Sequence, residues 1–176
     1  MVEEKLWQTC VCFHGHACPG LTIGYRAAVL AIDKLDLQFS PDEELVAICE
    51  NDACGVDAIQ VILGCSAGKG NLLFHLTGKQ AFSFYRRDTG TSFRCLLKPS
   101  PKEMSREQAF DWYQNQPTDD LFITMPVRIQ LPVHARFFNS IACTKCGEMA
   151  AEHFLRMEDN QLVCLDCWDS YDRFNI

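Results

Sequence analysis

Apolar residues recur at helical spacing over residues 20 to 36, where Leu21, Gly24, Ala28, Ala31, Ile32 and Leu35 fall on one face. A shorter helix is predicted over residues 3 to 13. Between them, His14-Gly-His-Ala-Cys-Pro-Gly20 carries two glycines and a proline and reads as a turn. Glu44 to Glu50 is rich in Val and Ile and alternates weakly, which predicts a strand. Asn51 and Asp52 then suit the cap of a helix running from Cys54 to about Leu63, which ends in the glycine-rich loop Gly64 to Asn71.

Three strand-like runs follow, Leu72 to Leu76, Gln80 to Arg86 and Ser92 to Lys98, with turn signals at Thr77-Gly78 and Asp88-Thr-Gly90. Their order predicts an antiparallel meander. Ser105 and Gln108 form a capping box ahead of a helix from Arg106 to Gln114. After Pro117 come one turn of helix and an extended segment, Met125 to Leu131. A boundary between Pro132 and Arg136 separates a core, residues 1–135, from a small module, residues 136–176.

Composition narrows the class. With 176 residues, 48% of them apolar, the chain can bury a sizeable core. It has no long apolar run and no basic leader, which predicts a soluble, cytoplasmic protein without a membrane span. Eleven cysteines, an odd number clustered with histidines, point to thiolate and metal chemistry rather than to a disulfide framework. A net charge of -7 and a pI near 5.1 repel phosphate backbones and argue against nucleic acid as a partner.

The strongest motif lies near the C-terminal end. Cys143-Thr-Lys-Cys146 and Cys164-Leu-Asp-Cys167 are separated by seventeen residues. Each CxxC turn can aim two sulfurs at one point, and four thiolates complete the tetrahedral shell of Zn²⁺. Such a closed shell has no vacant position, so the predicted role is structural. Glu158-Asp-Asn160 marks a hairpin between the pairs, and a helix is expected from Cys164 to Phe174, with Trp168, Tyr171 and Phe174 covering the small core.

A second group is formed by His14, His16 and Cys18, two imidazoles and a thiol within one turn, a donor set for Zn²⁺ or another first-row ion such as Ni²⁺ or Fe²⁺. Cys54 stands at a predicted helix N-terminus, where the helix dipole should lower its pKa and make it a ligand or a nucleophile. Asp57 lies one turn further on the same face, in reach as a ligand, an orienting partner or a general base. Cys65 lies eleven residues after Cys54, roughly 16 Å along an unbroken helix, and should not share its ion. Cys10, Cys12, Cys49 and Cys95 read as small buried apolar residues, and His75, His134 and His153 receive no role. The loop Gly64 to Gly70 departs from a P-loop in spacing and context, although Lys69 offers a positive charge to a ligand.

These same residues resemble the FmdE family, named for formylmethanofuran dehydrogenase. The resemblance rests on Phe13-His-Gly-His-Ala-Cys-Pro-Gly20 with Gly24 and Arg26, on Cys49-Glu-Asn-Asp-Ala-Cys-Gly-Val-Asp-Ala-Ile-Gln60, on Gly64-Cys65 through Gly70-Asn71, and on Gly78-Lys-Gln-Ala-Phe-Ser-Phe84. Cys143 to Glu148 with Cys164 to Cys167 is similar to the finger that many members carry. The resemblance implies an α+β core, an antiparallel sheet flanked by helices, followed by a treble-clef zinc finger, in a homodimer. It places metal or active-site positions on His14 or His16, Cys18 and Cys54, and it implies a molybdenum enzyme as a possible partner.

Three functions compete on these grounds. In the first, His16, Cys18 and Cys54 hold a catalytic metal that acts on a small-molecule substrate, with Asp57 or His14 moving protons. The second makes Cys18 or Cys54 a nucleophile for thiol or sulfur transfer. The third is a non-catalytic regulatory or protein-interaction module organised by zinc.

Overall fold

The computed structural model describes residues 3–36, 39–101, 103–131, 137–170 and 173–174. The chain divides into two compact units, Met1–Leu131 and Pro132–Ile176. The predicted boundary, like His134 and Tyr171, falls outside the described residues.

In the first unit, helices α1 (Glu4–His14), α2 (Pro19–Leu35) and α3 (Gly55–Leu63) pack against a five-stranded sheet. The strands are β1 (Leu45–Cys49), β2 (Leu72–Phe74), β3 (Ala81–Arg86), β4 (Ser92–Leu97) and β5 (Phe122–Met125), in the order β2-β1-β3-β4-β5. Helices α4 (Arg106–Asn115) and α5 (Thr118–Leu121) link β4 to β5. The fold is α+β, and the sheet is mixed. β2 lies parallel to β1, with Ala47 opposite Leu72, and the other three pairings are antiparallel.

The expected three-strand meander is therefore corrected at its first member. Helix α3 carries the chain back across the sheet and sets β2 beside β1 in the same direction, as a helical crossover does. The chain then wraps the end of β1: the amides of His75 and Thr77 donate to the carbonyls of Cys49 and Glu50, and β3 pairs on the other side of β1. A second correction concerns the last strand, which ends at Met125 instead of starting there. Pro126 has no N–H to extend the ladder. The following segment instead lays Val127, Ile129 and Leu131 against Val46, Ile48 and Tyr85, and the Tyr85 hydroxyl donates to the Ile129 carbonyl at 2.7 Å.

Side-chain alternation along the strands sorts the two faces. Leu45, Ala47 and Cys49 of β1, Phe82 and Phe84 of β3, and Phe93 and Cys95 of β4 belong to the main core beneath the helices. The rows between them form the second face, which holds Ser83 and a buried ion pair. Arg94 there donates to both oxygens of Glu50, and Thr77 donates to the same carboxylate at 3.1 Å. A charged residue inside a strand gave no sequence signal that its partner lay 44 positions away.

Two contacts hold α2 in place. Arg26, buried, donates to the carbonyls of Gln114 and Gln116 and to the Thr118 hydroxyl, so it caps the end of α4 from a distant helix. On its α3 side, Gly24 touches backbone: a Cβ built there would lie 1.9 Å from the Gly55 carbonyl oxygen. Gly24→Ala must therefore push α2 off α3, and about 3 kcal/mol of stability should be lost. A urea denaturation midpoint equal to the parent's would show that the helices separate without cost.

The second unit is built from two hairpins, β6 (Ser140–Ala142) with β7 (Met149–Ala151) and β8 (Leu155–Glu158) with β9 (Gln161–Cys164). Asp159 and Asn160 both take positive φ, the pairing that a two-residue hairpin turn needs. The helix expected from Cys164 does not form among the described residues. Cys164 to Cys167 is a single turn closed by the Cys167 amide on the Cys164 carbonyl, and Asp169 and Ser170 favour non-helical backbone. Trp168 and Phe174 are exposed.

Candidate metal centres

The link between α1 and α2 is short, and its turns have local causes. Gly15 takes φ +91° and stops α1, its amide bonding back to the Val11 carbonyl. Pro19 opens α2 with its fixed φ. Cys18 is the N-cap, and its sulfur accepts from the Leu21 amide at 3.3 Å. His14 thus ends one helix, Cys18 begins the next, and His16 lies between.

One donor atom from each of His14, His16 and Cys18 falls within 4.8 Å of the others. The imidazoles lie 4.6 Å apart between ring centres, and His14 Nε2 stands 3.8 Å from Cys18 Sγ. Asp57 Oδ2 meets the other ring nitrogen, Nδ1, at 2.7 Å, and its second oxygen accepts from Gln60 Nε2 at 3.3 Å. A carboxylate that takes the Nδ1 proton in a hydrogen bond fixes the tautomer and leaves the Nε2 lone pair facing Cys18, the outer-shell arrangement of many metal-bound histidines. One nitrogen of the His14 ring thus meets Asp57 and the other faces Cys18.

Cys54 joins from α3. A Cβ built on Gly20 would lie 3.6 Å from Cys54 Sγ and 4.0 Å from Cys18 Sγ, so both sulfurs flank that glycine. The close packing of Gly24 on Gly55 brings them together. Partial burial, with the Cys18 thiol beside it, pushes the Cys54 pKa up, against the lowering expected from the helix N-terminus. The helix terminus is outweighed by loss of solvent.

In the second unit, one sulfur each from Cys143, Cys146, Cys164 and Cys167 lies within 4.8 Å of the others, a group that could hold a metal ion. All eleven cysteines are free thiols. Gly147 turns the first CxxC with φ +77°, and its amide bonds to the Cys143 carbonyl. Amides of Cys146 and Cys164 donate to the Cys143 sulfur and bring its pKa down to about 6. The Cys167 thiol, crowded by the sulfurs of Cys164 and Cys146, is pushed up to about 12. Four sulfurs this close cannot all ionise without a cation.

The remaining candidates separate from these centres. Cys65 is buried at the far end of α3, where its thiol faces the Leu45 carbonyl at 3.7 Å. Cys10, Cys49 and Cys95 are buried as expected, whereas Cys12 is exposed, two positions past Cys10 and so on the opposite side of α1. Lys69 is not available to a ligand: it donates to the carbonyls of Ser40 and Pro41 and fastens its own loop. His75 is exposed, and His153 stacks on Phe138 with 5.1 Å between ring centres. Among the described residues no helix is long and apolar enough to cross a membrane.

Fold and site define an α+β protein with converging cysteine and histidine donors. The family described as FmdE, molybdenum formylmethanofuran dehydrogenase operon, matches residues 13–123, more than half of the chain, and the chain belongs to that family. A protein of Archaeoglobus fulgidus named "Probable S-adenosyl-L-methionine-binding protein" is 29% identical over 191 residues, covering 90% of this chain and 51% of that protein. This chain spans about half the length of that relative. The crystal structure of a tungsten formylmethanofuran dehydrogenase FmdE-like protein from Syntrophus aciditrophicus matches with a TM-score of 0.67 at 24% identity, over 93% of this chain and 90% of that one. At that identity the likeness establishes the fold.

Proposed function

We propose that this chain is a two-centre metalloprotein. Zn²⁺ held by Cys143, Cys146, Cys164 and Cys167 folds the second unit, and an accessible transition metal, Zn²⁺ or else Ni²⁺ or Fe²⁺, is held by His14, His16 and Cys18 with Cys54 beside them. The observation that carries the reading is the line from Asp57 through the His14 ring to Cys18, which a packed turn does not require. When bound, such an ion supplies Lewis acidity to a small-molecule ligand. His14 and Asp57 orient the donors, and Cys54 supplies a further sulfur.

This reading makes the first unit a metal-dependent enzyme, or an accessory protein, acting in the cytoplasm as a homodimer. The family's description ties it to the molybdenum formylmethanofuran dehydrogenase operon, which suggests a molybdenum oxidoreductase as partner. Thiol transfer is less favoured, because partial burial and the neighbouring Cys18 push the pKa of the half-buried Cys54 thiol up, which lowers its thiolate content.

Elemental analysis of the full chain should find two transition-metal ions per chain. His16→Ala should lose the one in the first unit and leave the thermal transition of that unit within a few degrees, since His16 is exposed. Two ions retained in that variant, or one in the parent protein, would overturn the reading.

A further inference from the structure

Beside Cys18 the surface opens into a cavity of about 400 Å³, walled on one side by α4. That volume suits a single small organic molecule. Cys18, only 4% exposed, is among the residues that line the cavity. Pro19 and Phe110 give the cavity an apolar wall.

The charges around it are of both signs. Arg106, Glu107 and Asp111 line the cavity from consecutive turns of α4, together with Phe110 between them. Positions 106 and 110, and 107 and 111, lie one turn apart, and all four side chains line the same opening. No described residue forms an ion pair with any of the three, and all three are exposed. The amide groups at the start of α4 are already served by the Ser105 and Gln108 capping box. The guanidinium and carboxylates are therefore not needed to hold the helix.

We propose that this cavity takes a zwitterionic α-amino acid, its carboxylate on Arg106, its ammonium on Glu107 and Asp111, and its side chain directed along Phe110 toward Cys18. A guanidinium fits a carboxylate through two parallel N–H bonds, which an uncharged or purely cationic ligand cannot use. A purely anionic ligand would meet two carboxylates. A molecule with both poles on one carbon and an apolar side chain matches the whole lining. The proposal names the substrate class of the proposed metal site, and it rests on that reading for what lies beyond Cys18.

Titration calorimetry of the full chain with L-methionine tests it. L-methionine is expected to bind at one site per chain, and L-methioninamide and N-acetyl-L-methionine, each lacking one pole, to bind about tenfold more weakly. Arg106→Met should bind L-methionine and L-methioninamide alike, and Glu107→Gln with Asp111→Asn should erase the preference for the free ammonium. Because these side chains are exposed, unchanged thermal transitions are expected of each variant. Absence of L-methionine binding, or discrimination that survives in both variants, would overturn the proposal. Metal content measured on the same samples keeps the two ideas apart. Binding without an ion in the first unit supports the amino-acid pocket and removes the metal, whereas a retained ion without binding removes the pocket alone.

Discussion

Cys146→Ser is expected to unfold the second unit and release one metal ion per chain. Among its described residues only Cys143, Leu155 and Val163 are buried apolar side chains, too few to hold a small unit by burial alone. A structural zinc ion supplies on the order of 10 kcal/mol in small modules of this size, so its loss removes most of what opposes chain entropy. The variant should lose one zinc by elemental analysis and become open to limited proteolysis between Ser140 and Cys164. An unchanged zinc content with an intact hairpin pair would show that the four sulfurs do not form a metal site.

Arg94→Met should cost the first unit about 3–5 kcal/mol, because it leaves the Glu50 carboxylate buried without its main partner. For a unit of this size the thermal transition should fall by roughly 10 °C. Acid response gives an independent reading. The Arg94 guanidinium holds the Glu50 carboxyl below its ordinary value of 4.5, so the pair contributes stability above that pH and loses it as pH falls through the lower folded-state pKa. In Arg94→Met the remaining desolvation raises the Glu50 pKa, and acidification should then favour the folded state over that range. Glu50→Gln combined with Arg94→Met should recover part of the loss, since neither charge is left alone. A single variant with the parent's transition temperature would mean that water already serves Glu50.

Much of the fold is local in origin, and local signals are legible in a sequence. The Ser105 capping box, the hairpin turn at Asp159-Asn160 and the helix after Pro19 each depend on a few neighbouring residues. His14, His16 and Cys18, and each CxxC pair by itself, were legible for the same reason, since their spacings are short. Misreadings arose where distant packing decides. β2 looked like the start of a meander until the α3 crossover placed it on the far side of β1. Cys54 looked acidified by its helix, but its pKa follows from burial against α2. Likewise, nothing near Asp57 in sequence shows that its carboxylate meets the His14 ring, 43 positions earlier. The α4 wall beside Cys18 left no trace at all, because its charges read as an ordinary solvated helix face.

The Arg26 clamp also sets an order of assembly. Its acceptors lie 88 to 92 positions further along the chain, at Gln114, Gln116 and Thr118. During synthesis the ribosome releases His14, His16, Cys18 and Cys54 long before those acceptors emerge, and closing so long a loop is among the slower events of folding. The helices that carry these four residues can therefore meet before α4 closes on α2, so the wall that α4 gives the neighbouring cavity is added after them.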